Sequence, residues 1–228
     1  MRKIRRRSGE DSGIRCTGAQ DAKKRRRPGD TSEPKRLQIV GFKNSGKTTL
    51  AESLLRTALG LGWRASTIKH HGHGGTPDLP PQPTDASRFF ETGADSSIVV
   101  GDGVMLLQGR QRSASAQPDE LNALIRLTEQ YAQPDLILIE GFKNEPFPKI
   151  VLVRSLEDQE ALRSLTNIEL IVAIDDDLAA QLSQIPKISA AKAPQTCPND
   201  PLRPLVYARQ QHGEITAWFT RWLKGASI

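Results

Sequence analysis

Gly41-Phe42-Lys43-Asn44-Ser45-Gly46-Lys47-Thr48 has the spacing G-x-x-x-x-G-K-[ST], which is a phosphate-binding loop pattern. The chemistry needs these residue types. Backbone N–H groups wrap an anion, a helix N-terminus adds positive potential, and a lysine reaches the outer phosphates. Lys47 is that lysine, and the Thr48 hydroxyl is the expected Mg²⁺ ligand. A triphosphate with Mg²⁺ also needs an acid close by. Asp135 and Glu140 bracket one apolar run, about 17 Å apart at the usual rise of a strand. Glu140 stands at the end and can reach a phosphate cleft, so it is the candidate metal or water-positioning acid. Its alternative is a satisfied structural carboxylate. Asp135, after Pro134, reads as a turn residue.

Further candidates surround this centre. Lys69 precedes His70-His71-Gly72-His73 and faces the same anionic region. The three histidines could bind a divalent transition metal, shuttle a proton or contact phosphate. Without Cys or a spaced carboxylate they make a weak metal motif. Asp85 and Arg88 lie three apart on one helical face. They are either a switch-like pair near Mg²⁺ or a helix cap with its surface partner. Lys143 either balances phosphate charge or is an ordinary exposed lysine. Asp175-Asp176-Asp177 could accept from guanine amines or cap a helix. No Asn-Lys-x-Asp sequence and no arginine-rich lid occur, so spacing does not assign the base.

The elements that must position these residues are legible as patterns. Leu37–Val40 is a short buried strand, and residues 47–61 form a helix stopped by Gly60 and Gly62. Residues 65–69 form a second strand. A proline-rich loop follows from Pro77 to Pro83, then a short helix from Thr84 or Asp85 to Glu91. Residues 96–100 and 104–107 flank Asp102-Gly103, a hairpin signal. Residues 118–131 form an amphipathic helix, and 135–140, 149–153 and 168–174 read as strands. Residues 194–204 read as irregular, and 215–224 as a closing helix whose Trp218, Phe219 and Trp222 belong to the core. Alternating strands and helices predict an α/β, three-layer P-loop NTPase fold. Its sheet is mostly parallel, with an antiparallel hairpin, and ligands bind at the strands' C-terminal ends.

Charge is unevenly placed. The chain of 228 residues carries +6, but residues 1–36 carry +8 and the remainder −2. We expect residues 1–36 to be a disordered, solvated basic extension and 37–228 to be the nucleotide-binding domain, because the extension has almost no large apolar residues. No aromatic residues accompany its charge, so nucleic acid is not the expected partner. No apolar run follows the early arginines and none spans a membrane, so neither signal peptide nor membrane anchor is expected. Cys16 and Cys197 form no close-spaced motif, which fits a reducing cytoplasm.

The loop, together with Thr67-Ile68-Lys69-His70-His71-Gly72-His73, Thr84-Asp85-Ala86-Ser87-Arg88-Phe89, Thr92-Gly93-Ala94 and Asp135-Leu136-Ile137-Leu138-Ile139-Glu140-Gly141-Phe142-Lys143, resembles the MobB family of molybdopterin-guanine dinucleotide biosynthesis adapter proteins. The resemblance covers about residues 37–177. It implies a GTP-binding homodimer that assists the guanylyltransferase joining GMP to molybdopterin. Molybdopterin, or its guanine dinucleotide, is a possible ligand. By that likeness Gly41, Lys43, Asn44, Ser45, Gly46, Lys47, Thr48 and Thr49 hold phosphates, Thr48 and Glu140 serve Mg²⁺, and Asp85 lies near the nucleotide. The basic extension and the proline-rich insert depart from the family pattern and leave the roles of His73 and Asp78 open. No residue is placed as an arginine finger, although Arg88 could supply one. The implied hydrolysis is slow, roughly 10⁻⁴ s⁻¹. Competing readings are a small-molecule kinase with Glu140 or Asp85 as base, and a metal-delivery GTPase using the histidines.

Overall fold

A computed structural model describes residues 33–71, 84–110, 119–184 and 204–225. His73, Asp78, the Pro77–Pro83 loop, Pro118, both cysteines and the basic run before Glu33 lie outside the described residues. In chain order the elements are β1 (Lys35–Gly41), α1 (Lys47–Gly60), β2 (Ala65–Lys69), α2 (Asp85–Glu91), β3 (Ser96–Gly101), β4 (Val104–Gly109), α3 (Glu120–Ala132), β5 (Leu136–Glu140), β6 (Lys149–Val153), α4 (Leu156–Leu162), β7 (Ile168–Ala173), α5 (Asp176–Gln184), β8 (Leu205–Ala208) and α6 (His212–Lys224).

Six strands form one parallel sheet in the order β2-β5-β1-β6-β7-β8. The strands are apolar almost throughout because both faces are covered. Successive residues serve opposite layers. Leu37, Ile39, Leu136, Leu138, Ile150, Leu152, Leu170 and Val172 meet Leu54 and Ala58 of α1 and Ile215, Trp218, Phe219 and Leu223 of α6. On the other face Val40, Val151, Val153 and Ile171 meet Leu162, Leu178 and Leu182 of α4 and α5. Ile68, Ile137 and Ile139 meet Leu121 and Ile125 of α3. Fully burying each such side chain contributes roughly 1.5–3 kcal/mol. Trp218 and Phe219 have no exposed surface, so the closing aromatics are core.

The structure differs from the sequence reading at β1, α4 and β8 and bears out the hairpin. β1 begins at Lys35, so Lys35 and Arg36 belong to the sheet rather than to the basic extension. The Lys35 ammonium caps the end of α6 by donating to the Trp222 carbonyl at 3.0 Å. α4 was not expected, and neither was β8, which lies just beyond the stretch read as irregular. The β3–β4 hairpin turns at Asp102-Gly103, both at positive φ (47° and 75°), as its Asp-Gly signal requires. It forms a separate two-stranded sheet.

The β5–β6 connection bears on the site. These strands flank β1, so residues 141–148 must pass from the top of β5 to the bottom of β6 across β1. Parallel crossovers usually need a dozen or more residues and a helix. This one is short and irregular, so its carbonyls need donors from elsewhere. Gln38, a fully buried polar residue in the apolar run of β1, donates its Nε2 to the carbonyls of Gly141 (3.1 Å) and Phe142 (2.7 Å). Lys149, also fully buried, donates to the carbonyls of Glu145 and, at 2.8 Å, Phe147.

Candidate functional site

β1 ends in Gly41 and the chain turns through residues 42–46 into α1. Gly41 has φ +156°, and a Cβ there would lie 2.7 Å from Ser45 Oγ and 2.8 Å from the Leu152 carbonyl oxygen. Asn44 (φ 60°) and Gly46 (φ 92°) are left-handed, which curls the loop. Gly46 is the N-cap of α1 and offers no side-chain oxygen, and no acid stands in the first turn. The amides at that helix start are thus left to an anion. Replacing Gly41 by Ala therefore drives a Cβ into backbone and is expected to cost at least about 1–3 kcal/mol of stability, with loss of triphosphate binding. Urea unfolding and nucleotide titration check this; unchanged values in both would contradict the loop geometry.

Lys47 folds back over the loop and donates to the Phe42 carbonyl at 2.7 Å. Partial burial pulls its ammonium below the ordinary lysine range, and Lys69 and Arg154 add to that lowering, while Glu140 opposes it. Glu140 ends β5, in register with Ile39 of β1 on one side and Lys69 of β2 on the other. That strand order puts its carboxylate over the start of α1. The Thr48 hydroxyl donates to Glu140 at 3.1 Å, and Lys69 Nζ lies 3.3 Å from Thr48 Oγ1 and 3.5 Å from Glu140 Oε1. A hydroxyl and a carboxylate side by side are hard oxygen donors of the kind Mg²⁺ takes, with phosphate and water completing its shell.

The surrounding cleft, about 930 Å³, is lined by the loop from Val40 to Thr49 except Ser45, by Lys69, His70 and His71, and by Gly141 to Glu145. Lys43, Asn44, Gly46, Lys47, Thr48, Thr49, Lys69, Glu140 and Lys143 are thus brought together. Ser45 is buried under the loop, its hydroxyl turned toward Gly41 and without a hydrogen-bond partner among the described residues. Asp85 does not line the cleft. It is exposed and pairs with Arg88 at 3.6 Å, while Thr84 is the N-cap of α2. The His70 ring packs on Phe142 with centroids 4.8 Å apart. Among the described residues no group of three His, Cys, Asp or Glu is placed to hold a metal ion. Asp135 is engaged by Arg64 through Nη2 at 3.0 Å and the backbone N–H at 2.9 Å, away from the cleft. Asp175 caps α5 through the Leu178 N–H, and Asp176 accepts from Gln210.

Arg154 was missed by the sequence reading. It follows directly after β6, the strand beside β1, and its guanidinium donates to the Lys43 carbonyl at 3.0 Å. A forked pair with Asp158, at 2.7 and 3.0 Å, anchors it, raising Arg154 and holding Asp158 below the usual carboxylate range. The available signal was positional: a charged residue at the C-terminal end of a strand adjoining β1.

Comparison with known proteins follows the same residues. The sequence model of the family "MobB: Molybdopterin guanine dinucleotide synthesis protein B" matches residues 36–176. A Bacillus subtilis protein named "Probable molybdopterin-guanine dinucleotide biosynthesis adapter protein" is 42% identical over 135 residues, covering 59% of this chain and 74% of that protein. The Haemophilus influenzae molybdopterin-guanine dinucleotide biosynthesis adapter protein is 32% identical over 161 residues, 67% of this chain and 84% of that one. Among solved structures, the crystal structure of a MobB protein homolog from Bacillus stearothermophilus superposes with TM-score 0.57 at 29% identity. It covers 83% of this chain and 98% of its own.

Proposed function

The chain belongs to the molybdopterin guanine dinucleotide synthesis protein B (MobB) family, and from that premise we propose that it is a GTP-binding adapter in the assembly of molybdopterin guanine dinucleotide. It holds GTP on residues 41–49 and serves the guanylyltransferase that joins GMP to molybdopterin. The supporting observation is the cluster of Thr48, Glu140 and Lys69 over the start of α1 in a chain of this family. In this reading the loop amides and Lys47 bind the phosphates, and Lys69 neutralises charge beside Glu140. Thr48 and Glu140 hold Mg²⁺, which offsets phosphate charge when bound. Hydrolysis is slow in this reading: the Arg154 guanidinium is already committed to Asp158 and the Lys43 carbonyl, and the Arg209 guanidinium lies against Gly46 at the start of α1 rather than beside Glu140.

The adapter works as a homodimer through the β3–β4 hairpin. Ile98, Val99, Val100, Val104, Leu106 and Leu107 are between 41% and 72% exposed there, on both faces of the ribbon. A two-stranded ribbon touched by α2 at β3 but otherwise showing so much open apolar surface needs a cover, and a second copy supplies a matching one. No described helix is long and apolar enough to cross a membrane, and the reading places the protein in the cytoplasm with its partner enzyme.

The test is reconstitution: the guanylyltransferase, molybdopterin and Mg²⁺-GTP, with and without this chain. Faster or more complete formation of the dinucleotide is expected, together with sedimentation at about twice the 25.1 kDa chain mass and return to monomer on Val100→Asp. Transferase output indifferent to the chain would overturn the adapter role, and a monomeric wild type would overturn the dimer.

A further inference from the structure

The short crossover between β5 and β6 presents unused donors to the cleft. Gln38 Nε2 draws the carbonyls of Gly141 and Phe142 down toward the sheet. In a trans peptide the N–H points opposite to the C=O, so the N–H groups of Phe142 and Lys143 point away from the sheet. Among the described residues neither N–H finds a protein acceptor. Both residues line the same cleft as the phosphate loop. The conformation is enforced. Phe142 sits at φ 51° with its ring on His70, and Gly141 at φ 98° is so close to His70 that a Cβ would lie 2.9 Å from its Cβ. Lys149 fastens the lower half of the same crossover. The crossover, with Phe142 in the left-handed region that a non-glycine residue rarely adopts and with two buried polar side chains tying it from beneath, holds the upper-surface amides in a fixed orientation.

Charge shows what that surface takes. The cleft lining carries four lysines and three glutamates, a slight positive excess before any ligand enters. Glu140 is already paired with Thr48 and Lys69. Lys143 is exposed and stands directly on the crossover. Two outward amides and an ammonium group are the donor set of a tetrahedral oxyanion.

We infer that the N–H groups of Phe142 and Lys143, with the Lys143 ammonium, form a second phosphate site in the cleft, which takes the phosphomonoester end of a small organic ligand held beside the nucleotide. Gln38 and Lys149 are its positioning residues. The inference deepens the proposed function, on which it rests for the occupant of the first site, and gives the adapter a means of holding both reactants of a nucleotidyl transfer.

The experiment uses the full chain labelled with ¹⁵N and carrying Lys47→Ala, which disables the first site. Phenyl phosphate and inorganic phosphate are titrated at constant ionic strength. The amide resonances of Phe142 and Lys143 are expected to move saturably at millimolar phenyl phosphate. Lys143→Ala or Gln38→Leu in the same background should weaken that binding about 3- to 10-fold, as expected for one or two lost hydrogen bonds. Absence of movement overturns the site. A response to inorganic phosphate alone overturns the organic ligand. In the chain with Lys47 intact, a response of these amides to a Mg²⁺-bound GTP analogue but not to Mg²⁺-GDP, with no further change on adding phenyl phosphate, assigns them to the nucleotide's own terminal phosphate and also overturns it. Failure of the nucleotide reading looks different: the Gly46 and Lys47 amides of the wild type would not respond to GTP, whatever the crossover does.

Discussion

Lys47→Ala is expected to weaken GTP binding at least about 100-fold while leaving the fold within about 1 kcal/mol of wild type. A factor of 100 corresponds to roughly 2.7 kcal/mol, in the range of one charge-assisted hydrogen bond to a phosphate. The effect on folding is small because the ammonium group reaches the protein chiefly through the Phe42 carbonyl, on a loop that lines the cleft. The same lysine sets a pH dependence. Its pKa lies below the ordinary lysine value because burial penalises the ammonium, so triphosphate affinity falls at a lower pH than a solvated lysine would allow. Calorimetric titration of GTP against wild type and variant, with urea unfolding of both, measures the two quantities. Wild-type affinity in the variant would remove Lys47 from the site, and an unfolded variant would show that the loop, rather than the ligand, needs it.

The second large effect concerns Lys149. Its side chain has no exposed surface, and burial lowers its pKa from 10.5 to about 8. Below pH 8 the group is protonated in both the folded and unfolded states, and the folded chain bears the full cost of a buried ammonium. Between pH 8 and 10.5 the unfolded chain holds the proton and the folded chain has released it, so stability rises with pH. The displacement corresponds to roughly 3 kcal/mol at 1.36 kcal/mol per pH unit. Relative to Lys149→Met, which has no proton to lose, wild type should gain about that much between pH 8 and 10.5. Urea unfolding of both chains across the window measures the difference, in which every other titration cancels. A difference that stays flat would mean that Lys149 holds its proton at the usual pH and is better solvated than its burial indicates. The variant also leaves the Glu145 and Phe147 carbonyls without their donor, an added cost that does not depend on pH in this window.

Most of the architecture was readable because its signals are local. The phosphate-loop pattern needs Gly41 and Gly46 for backbone geometry and Lys47 and Thr48 for chemistry, so its spacing carried the fold class and pointed to the candidate site. Glu140 could be preferred to Asp135 from the direction of a single strand, and Arg64 does engage Asp135 elsewhere. Asp102-Gly103 announced its hairpin because two consecutive positive φ values suit few other residue pairs. The elements that escaped notice lack such signals. α4 spans seven residues and is held by Ser155 and by Asp158 in its pair with Arg154. β8 is four residues long and, among the described residues, pairs only with β7.

By itself the sequence determined which residues are candidates to bind phosphate, because hydrogen-bonding capacity, glycine's backbone freedom and a lysine's charge belong to the residues and their spacing. Tertiary structure alone decided which of them meet. The order β2-β5-β1-β6 sets Lys69, Glu140 and Thr48 within hydrogen-bonding range. It also sends the β5–β6 crossover over β1, which turns Gln38 from an odd residue in an apolar run into the support of a loop. Strand order is the reason for both outcomes: it is settled by how whole faces pack against helices, and a residue's neighbours along the chain carry little of that information.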